Sequence, residues 1–357
     1  MASSSSAATD TPSPPPPTPS NDSLSRTLSV DDDALSRLLD QLLILSPAPS
    51  LSRPPRLNKH KSVPVAPATA PLVSLLQPSR ALVANALTNL GFFHLADHGI
   101  PPHLPSSALL ECSNSLFGSP LAGHDLSSLG FDADDDDEGG EVDTFLVFDT
   151  SSDKLDSLPE TREYARSLGR VGLEVVEMIF PKENPFRKGS VRPRCLLWIS
   201  EASSSSSNGD CCHLKKSYPY VVCLQYEVER KPSWMVNGDS GGRIAVEPLV
   251  GSVLVTVGDI AKVWSNGRFK RVRGIPDCNP LPPGNSSSSQ SVSMSILVTL
   301  PIDSVVSPLL PRATDDGDAG AEHEETRTYR EFPFEEYAWR VHHDQLPFKD
   351  PLLRYKI

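Results

Sequence analysis

Six short segments rich in β-branched, aromatic and leucine residues follow one another along the second half of the chain, and they constrain the fold more than any other feature. They are RCLLWIS (194–200), YPYVVCLQYEV (218–228), GRIAVEP (242–248), GSVLVTVGD (251–259), AKVWSNGRFKRV (261–272) and SVSMSILVTLP (291–301). Gly, Pro, Asn and Ser separate them at roughly regular intervals, which is typical of an antiparallel sandwich or jelly roll. We therefore predict a mainly β core over residues 191–311, in which Trp264 is at least partly buried, because large aromatic side chains anchor such cores.

The region before this core, residues 69–190, mixes strand and helix patterns. The expected strands are 71–75, 91–102 (which runs into a turn) and 143–149, and the expected helices are 80–90, 104–117 and 159–180. The last helix has the clearest pattern, because its apolar residues recur at i, i+3 and i+4. The sequence thus predicts helices that flank a β core.

Proline and serine are concentrated outside the core. The chain has 35 prolines in 357 residues, about twice the usual share, and its first thirty residues have too few apolar side chains to form a core. The expected segments outside the core are a disordered tail at 1–30, a short helix at 31–47, a Pro-rich linker at 48–68, an acidic linker at 312–326 and a C-terminal helix at 327–357.

The charge excludes two classes of partner. The formal net charge is −12, which argues against nucleic acid and against an anionic membrane surface, since both attract clustered Lys and Arg. No apolar run approaches the eighteen or so residues of a spanning helix, and the N-terminus lacks the basic and apolar parts of a secretory signal. Six cysteines without framework spacing indicate reduced thiols. We expect a cytoplasmic protein, with a plastid as the alternative.

Four segments resemble one known family, in that family's order. They are GFFHLADHGIP (91–101), GSVLVTVGDIAKVWSNGRFKRV (251–272), LPIDSVVSPLLP (300–311) and EYAW (336–339). They are similar to segments of the plant 2-oxoglutarate and Fe(II)-dependent dioxygenases, the superfamily of gibberellin oxidases, flavonoid oxygenases and isopenicillin N synthase-like proteins. The resemblance implies a double-stranded β-helix (jelly roll) with an N-terminal helical region and a C-terminal helix.

The resemblance also implies a metal site, which in that family consists of two His and one carboxylate around Fe(II). Gly274 stands where the distal His is expected after SNGRFK. The His-x-Asp pair should precede YPYVVCLQ, and the family spacing places it at Leu214 and Lys216, or at His213 and Lys215 after a shift of one residue. His213 is therefore the one candidate metal ligand, and a lysine stands in place of the carboxylate. Two unit charges about 4 Å apart interact by ~4 kcal/mol at an effective dielectric near 20, so the lysine repels a cation that the carboxylate would attract.

The co-substrate residues differ from the family pattern as well. An Arg in an R-x-S motif pairs there with the far carboxylate of 2-oxoglutarate, a geometry that suits a guanidinium. Ser291 occupies the Arg position in this chain, and Ser293 keeps the serine. The resemblance implies Fe(II) and 2-oxoglutarate as cofactors, but these replacements predict that neither binds.

Other polar clusters have simpler explanations. His94 and His98 lie in a segment that the family uses structurally, so we expect no catalytic role for them. Four basic residues could face an anionic ligand or could protect a strand edge from aggregation; they are Arg268, Lys270, Arg271 and Arg273.

Three hypotheses about function follow. The first is a dioxygenase-like protein without catalytic activity, which binds a small apolar metabolite or a protein partner. The second is an active 2-oxoglutarate-dependent oxygenase of plant hormone or specialised metabolism, whose metal ligands come from other positions. The third is an interaction protein that uses its disordered Pro/Ser-rich tail.

Overall fold

The structure is a computed structural model. It describes residues 68–115, 126–131, 145–187, 189–202, 217–228, 234–278, 291–310, 327–343 and 350–357. The expectations for the tail, the short helix, nearly all of the Pro-rich linker and the acidic linker lie outside these ranges.

The described chain is mainly β with flanking helices, as predicted. Its strands are β1 (Leu72–Ser74), β2 (Phe92–Ala96), β3 (Phe145–Asp149), β4 (Arg194–Ala202), β5 (Val222–Tyr226), β6 (Trp234–Asn237), β7 (Arg243–Val246), β8 (Val253–Val257), β9 (Arg273–Cys278), β10 (Ser291–Thr299), β11 (Val305–Val306) and β12 (Phe332–Pro333). Its α-helices are α1 (Arg80–Asn89), α2 (His103–Ser115), α3 (Pro159–Ile179), α4 (Asp259–Trp264) and α5 (Phe334–His343). Short 3-10 helices cover Leu126–Leu129, Asp153–Leu155 and Pro351–Tyr355.

The strands form one large and two small sheets. The large sheet has seven strands in the order β1-β2-β8-β5-β10-β4-β3, and the smaller ones have the orders β7-β6-β9 and β11-β12. Only β1 and β2 pair in parallel in the large sheet. Because β1, β2 and β3 come from 69–190 and the others from 191–311, both predicted regions contribute to one sheet.

Helix α3 packs against the middle of the large sheet. A Cβ atom on Gly172 would lie 2.6 Å from Val298 Cγ2 and 3.1 Å from Leu224 Cδ1, so only glycine allows the helix to approach this closely. Tyr164 and Leu168 of the same helix are also buried. Close packing of this kind fixes the helix on one face of β5 and β10.

The segment 261–272, predicted as a strand, contains a helix and a turn, so that prediction is wrong. Helix α4 ends at Trp264, and Asn266 follows with a φ of 53°. The burial of Trp264 is confirmed: its side chain is 2% exposed and meets the Phe180 ring edge-on, with centroids 5.5 Å apart. Ile260, four residues before Trp264, is buried as well. Apolar residues at i and i+4 are compatible with a helix.

None of the helices in the described ranges has the length and apolar content of a membrane-crossing segment.

Candidate functional site

The position predicted for the distal metal ligand is a bulge in β9. Asn237 of β6 pairs with Arg273 and Met235 pairs with Asp277, so three residues of β9 face a single residue of β6 between these pairs. Gly274 is the first of the three, and its φ is 72°. An L-residue in this left-handed region loses about 1–2 kcal/mol. The bulge therefore favours glycine: a side chain at this position would have room, but the backbone of any other residue would be strained.

Ser217 lies opposite Gly274. A Cβ atom built on Gly274 would lie 3.8 Å from Ser217 Cβ and would contact no other described atom within 4 Å. The sequence alone does not single out Ser217, because the family spacing counted back from β5 places the carboxylate at Lys216 or Lys215. His213 and both lysines lie outside the described residues, so their assignments stay predictions.

Tyr220 fills the space between β8 and β9. Its hydroxyl donates to the carbonyl oxygen of Gly274 at 2.8 Å, and it lies 3.4 Å from the carbonyl oxygen of Val272 and 3.3 Å from Thr256 Oγ1. The ring packs on Gly258, where a Cβ atom would lie 2.6 Å from ring atom Cδ2. Burial raises the pKa of the Tyr220 hydroxyl well above its ordinary value, so the group is a neutral donor.

Gln225 connects β5 to two other strands. Its Nε2 donates to the carbonyl oxygen of Pro276 at 3.0 Å and to Ser295 Oγ at 2.7 Å. The residue is 1% exposed, and its Oε1 has no hydrogen-bond donor among the described residues. One neutral amide oxygen is no substitute for two imidazoles and a carboxylate.

The residues at the co-substrate positions carry no charge. Ser291, the first residue of β10, pairs with Ala202 of β4, and Ser293 pairs with Ser200 of β4. The hydroxyls of Ser293 and Ser200 lie 2.8 Å apart and hydrogen-bond to each other. A dicarboxylate such as 2-oxoglutarate requires a cation at its far end, and these hydroxyls supply none.

The residues that the structure describes do not form an Fe(II) centre of the family type. Within the described ranges, no group of three or more His, Cys, Asp or Glu side chains could hold a metal ion. His94 is occupied structurally, because Nε2 lies 2.9 Å from the Glu247 carbonyl oxygen and Nδ1 lies 3.1 Å from Ser252 Oγ. His98 likewise hydrogen-bonds the carbonyl oxygen of Gly251 at 3.1 Å.

The predicted basic cluster is broken up by the fold. The Arg271 side chain is 2% exposed and pairs with the carboxylates of Asp239, Asp259 and Asp350. Lys262 also pairs with Asp239. Arg271 is therefore a buried structural charge and is not available to an external anion.

Two concavities in the described part differ in size. A cavity of ≈ 20 Å³ lies between α2, α3 and the ends of β5 and β10, lined among others by Tyr164, Trp234 and Met294. It has room for about one water molecule. A surface groove of ≈ 340 Å³ has Leu75 and Met178 among its lining residues, and this volume is at the lower end of the range for small-ligand sites, about 300–1,000 Å³.

Comparisons with known proteins agree on the fold. No family model matches the sequence. The 2-oxoglutarate-dependent dioxygenase DAO of Oryza sativa subsp. indica is 25% identical over 283 residues, which cover 72% of this chain and 86% of that protein. A crystal structure of JOX2 in complex with 2OG, Fe and JA has a TM-score of 0.61 at 16% identity and covers 81% of this chain and 90% of its own. The crystal structure of the rice dioxygenase for auxin oxidation has a TM-score of 0.52 at 20% identity and covers 81% and 100%. The predicted jelly-roll fold is confirmed.

Proposed function

We propose that the chain is a divergent and catalytically silent member of the 2-oxoglutarate-dependent dioxygenase superfamily, which its similarity to the rice dioxygenase supports, and that it acts as a binding module. The observation that carries this proposal is the backbone at Gly274. A φ of 72° within a bulge that holds two extra residues differs from the regular strand that would present a ligand side chain. A histidine at this position would therefore be strained by about 1–2 kcal/mol, or the bulge would have to change.

The surroundings of Gly274 support the same proposal. Its nearest facing side chain is the neutral Ser217, which offers a metal neither charge nor imidazole. Ser293, at the co-substrate position, is already hydrogen-bonded to Ser200. The ligands expected for iron and 2-oxoglutarate are thus missing at positions in β9, in the segment before β5 and in β10. A single compensating substitution would not restore binding of both.

A small apolar metabolite or a protein partner remains the proposed ligand. The ≈ 20 Å³ cavity is too small for a metabolite, whereas the ≈ 340 Å³ groove has the volume and an apolar lining that includes Leu75, Met178 and Pro181. Arg80, Glu174 and Glu177 add one positive and two negative charges to the lining of the groove. These features support the groove as the place where the module binds.

The second candidate is an active oxygenase with metal ligands at other positions. The names of the relatives favour it, because the rice proteins are named dioxygenases and the JOX2 structure contains Fe and 2OG. The two candidates differ in one product, succinate, which a 2-oxoglutarate-dependent oxygenase releases at each turnover.

Succinate release therefore tests the proposal. The full-length protein is stripped of metal, reloaded anaerobically with Fe(II), and then mixed with 2-oxoglutarate and O₂. We expect no more succinate than in a control without protein, and the rice dioxygenase for auxin oxidation, assayed with auxin, serves as the positive control. Succinate above the no-protein control would contradict the proposal and favour the active oxygenase.

A further inference from the structure

We infer that Tyr220 and Gln225 cross-link the strands around the former metal position and so take over the structural role that a shared metal ion would have. A metal ion bound by residues of both the segment before β5 and β9 would hold these two segments together. In this chain the two side chains come from the segment before β5 and from β5 itself, and both donate to backbone carbonyls of β9. The inference goes beyond catalytic silence, because it assigns the two residues a positioning role.

The first cross-link is formed by Tyr220. Its hydroxyl donates to the Gly274 carbonyl oxygen at 2.8 Å, within the bulge. Residues in a bulge lack regular partners on the neighbouring strand, so a side-chain donor is needed to satisfy the carbonyl. The Gly274 carbonyl oxygen is partly buried, and a carbonyl removed from water without a donor destabilises the fold. The hydroxyl therefore stabilises the irregular backbone of β9.

The second cross-link is formed by Gln225 at the other end of the bulge. Its amide donates both to the Pro276 carbonyl oxygen at 3.0 Å and to Ser295 Oγ at 2.7 Å, so β5, β9 and β10 are joined through one side chain. Pro276 has no N–H group and cannot contribute a donor to a sheet ladder. The side-chain bond from Gln225 thus anchors a residue that has lost half of its usual strand hydrogen-bonding capacity.

The space for Tyr220 depends on Gly258. A Cβ atom at Gly258 would lie 2.4 Å from the Tyr220 carbonyl oxygen and 2.6 Å from its ring atom Cδ2. Any larger residue would push the ring away and with it the hydroxyl. Gly258 leaves space for the Tyr220 ring, and the carbonyl oxygen of Gly274 accepts the hydrogen bond from the Tyr220 hydroxyl. The three residues therefore act as a unit.

Backbone hydrogen exchange in the full-length protein tests the inference. We expect Tyr220→Phe to accelerate exchange of the β9 amides by about tenfold or more, because the bulge loses its donor. Tyr218→Phe is the matched control: its buried hydroxyl donates to the Leu129 carbonyl oxygen at 3.0 Å, away from the carbonyl oxygens of β9 that Tyr220 and Gln225 bind. In that control, β9 exchange should stay at the wild-type rate. Gly258→Ala is a second variant and should accelerate β9 exchange as Tyr220→Phe does.

Two results would overturn the inference. One is equal β9 exchange in Tyr220→Phe, Tyr218→Phe and the wild type. The other is faster β9 exchange in the wild type after addition of EDTA, which would show that a metal ion ties the strands. The succinate assay has a separate readout, so a failure of the cross-link and a failure of catalytic silence can be distinguished.

Discussion

The glycine at position 274 limits metal binding at the bulge in β9. Its φ of 72° is a backbone state that L-residues rarely adopt, whereas a missing imidazole alone would be a side-chain change. From the sequence we could predict that a ligand was absent here, because Gly274 stands where the family has a histidine. The bulge could not be predicted, because it depends on pairing with β6, a strand whose pattern was not recognised. The same limit applies to Ser217, whose place opposite Gly274 follows from the fold.

A glycine-to-alanine pair tests the residue scale. Gly274→Ala should lower the free energy of unfolding by about 1–2 kcal/mol, because alanine is strained at this φ, although the side chain itself has room. Gly242→Ala is the matched control, since its Cβ also has room and its φ lies outside the left-handed region. The control should be neutral or slightly stabilising. Urea unfolding measures the free energy of unfolding of both variants. Equal losses of stability would show that a side chain at position 274 does not strain the backbone.

At the scale of elements, the buried charge of Arg271 joins three parts of the chain. Its carboxylate partners are Asp259 at the start of α4, Asp239 between β6 and β7, and Asp350 at the start of the last 3-10 helix. Sequence reasoning placed Arg271 in a basic surface cluster, because charge patterns do not show which residues the fold brings from elsewhere in the chain. Helix α4 was missed for a related reason: a run of apolar residues this short fits a strand or a helix equally well.

Asp350 makes the stability of this network dependent on pH. Burial by itself would raise the pKa of Asp350, but the charge of Arg271 and its hydrogen bond outweigh burial and hold the pKa below its ordinary value. A carboxyl group with a lowered pKa stabilises the fold above its unfolded pKa, about 3.9, and this contribution is lost as the pH falls through the folded value. Asp350→Asn should therefore be less stable than the wild type at pH 7, and the difference should shrink below about pH 4.

Urea unfolding between pH 7 and pH 3 checks this prediction. Asp303→Asn is the control, because Asp303 is exposed and has no ion pair with the described residues. Its difference from the wild type should stay small throughout. A difference for Asp350→Asn that is constant, or that grows as the pH falls, would contradict the role assigned to the ion pair.

At the scale of the whole molecule, the scaffold could be predicted far better than the site. Segments such as GFFHLADHGIP and the core strands have local sequence patterns that are sufficient to locate them. Strands β2, β5, β8 and β10 lie where they were expected. The site depends on how β9 pairs with β6 and on which residue before β5 faces it. Neither feature has a local sequence pattern, so the core strands named above were predicted, whereas β6, β9 and their pairing at the site were not.

Fe(II) binding is the measurement that tests the central claim most directly, because it does not depend on knowing a substrate. The metal-free, full-length protein is dialysed anaerobically against micromolar Fe(II), with and without 2-oxoglutarate, and the retained iron is quantified. We predict no retained iron above that of the dialysis buffer in either condition, since Gly274 and Ser217 offer no ligand of the family type. Retention of one equivalent of iron, tightened by 2-oxoglutarate, would contradict the account.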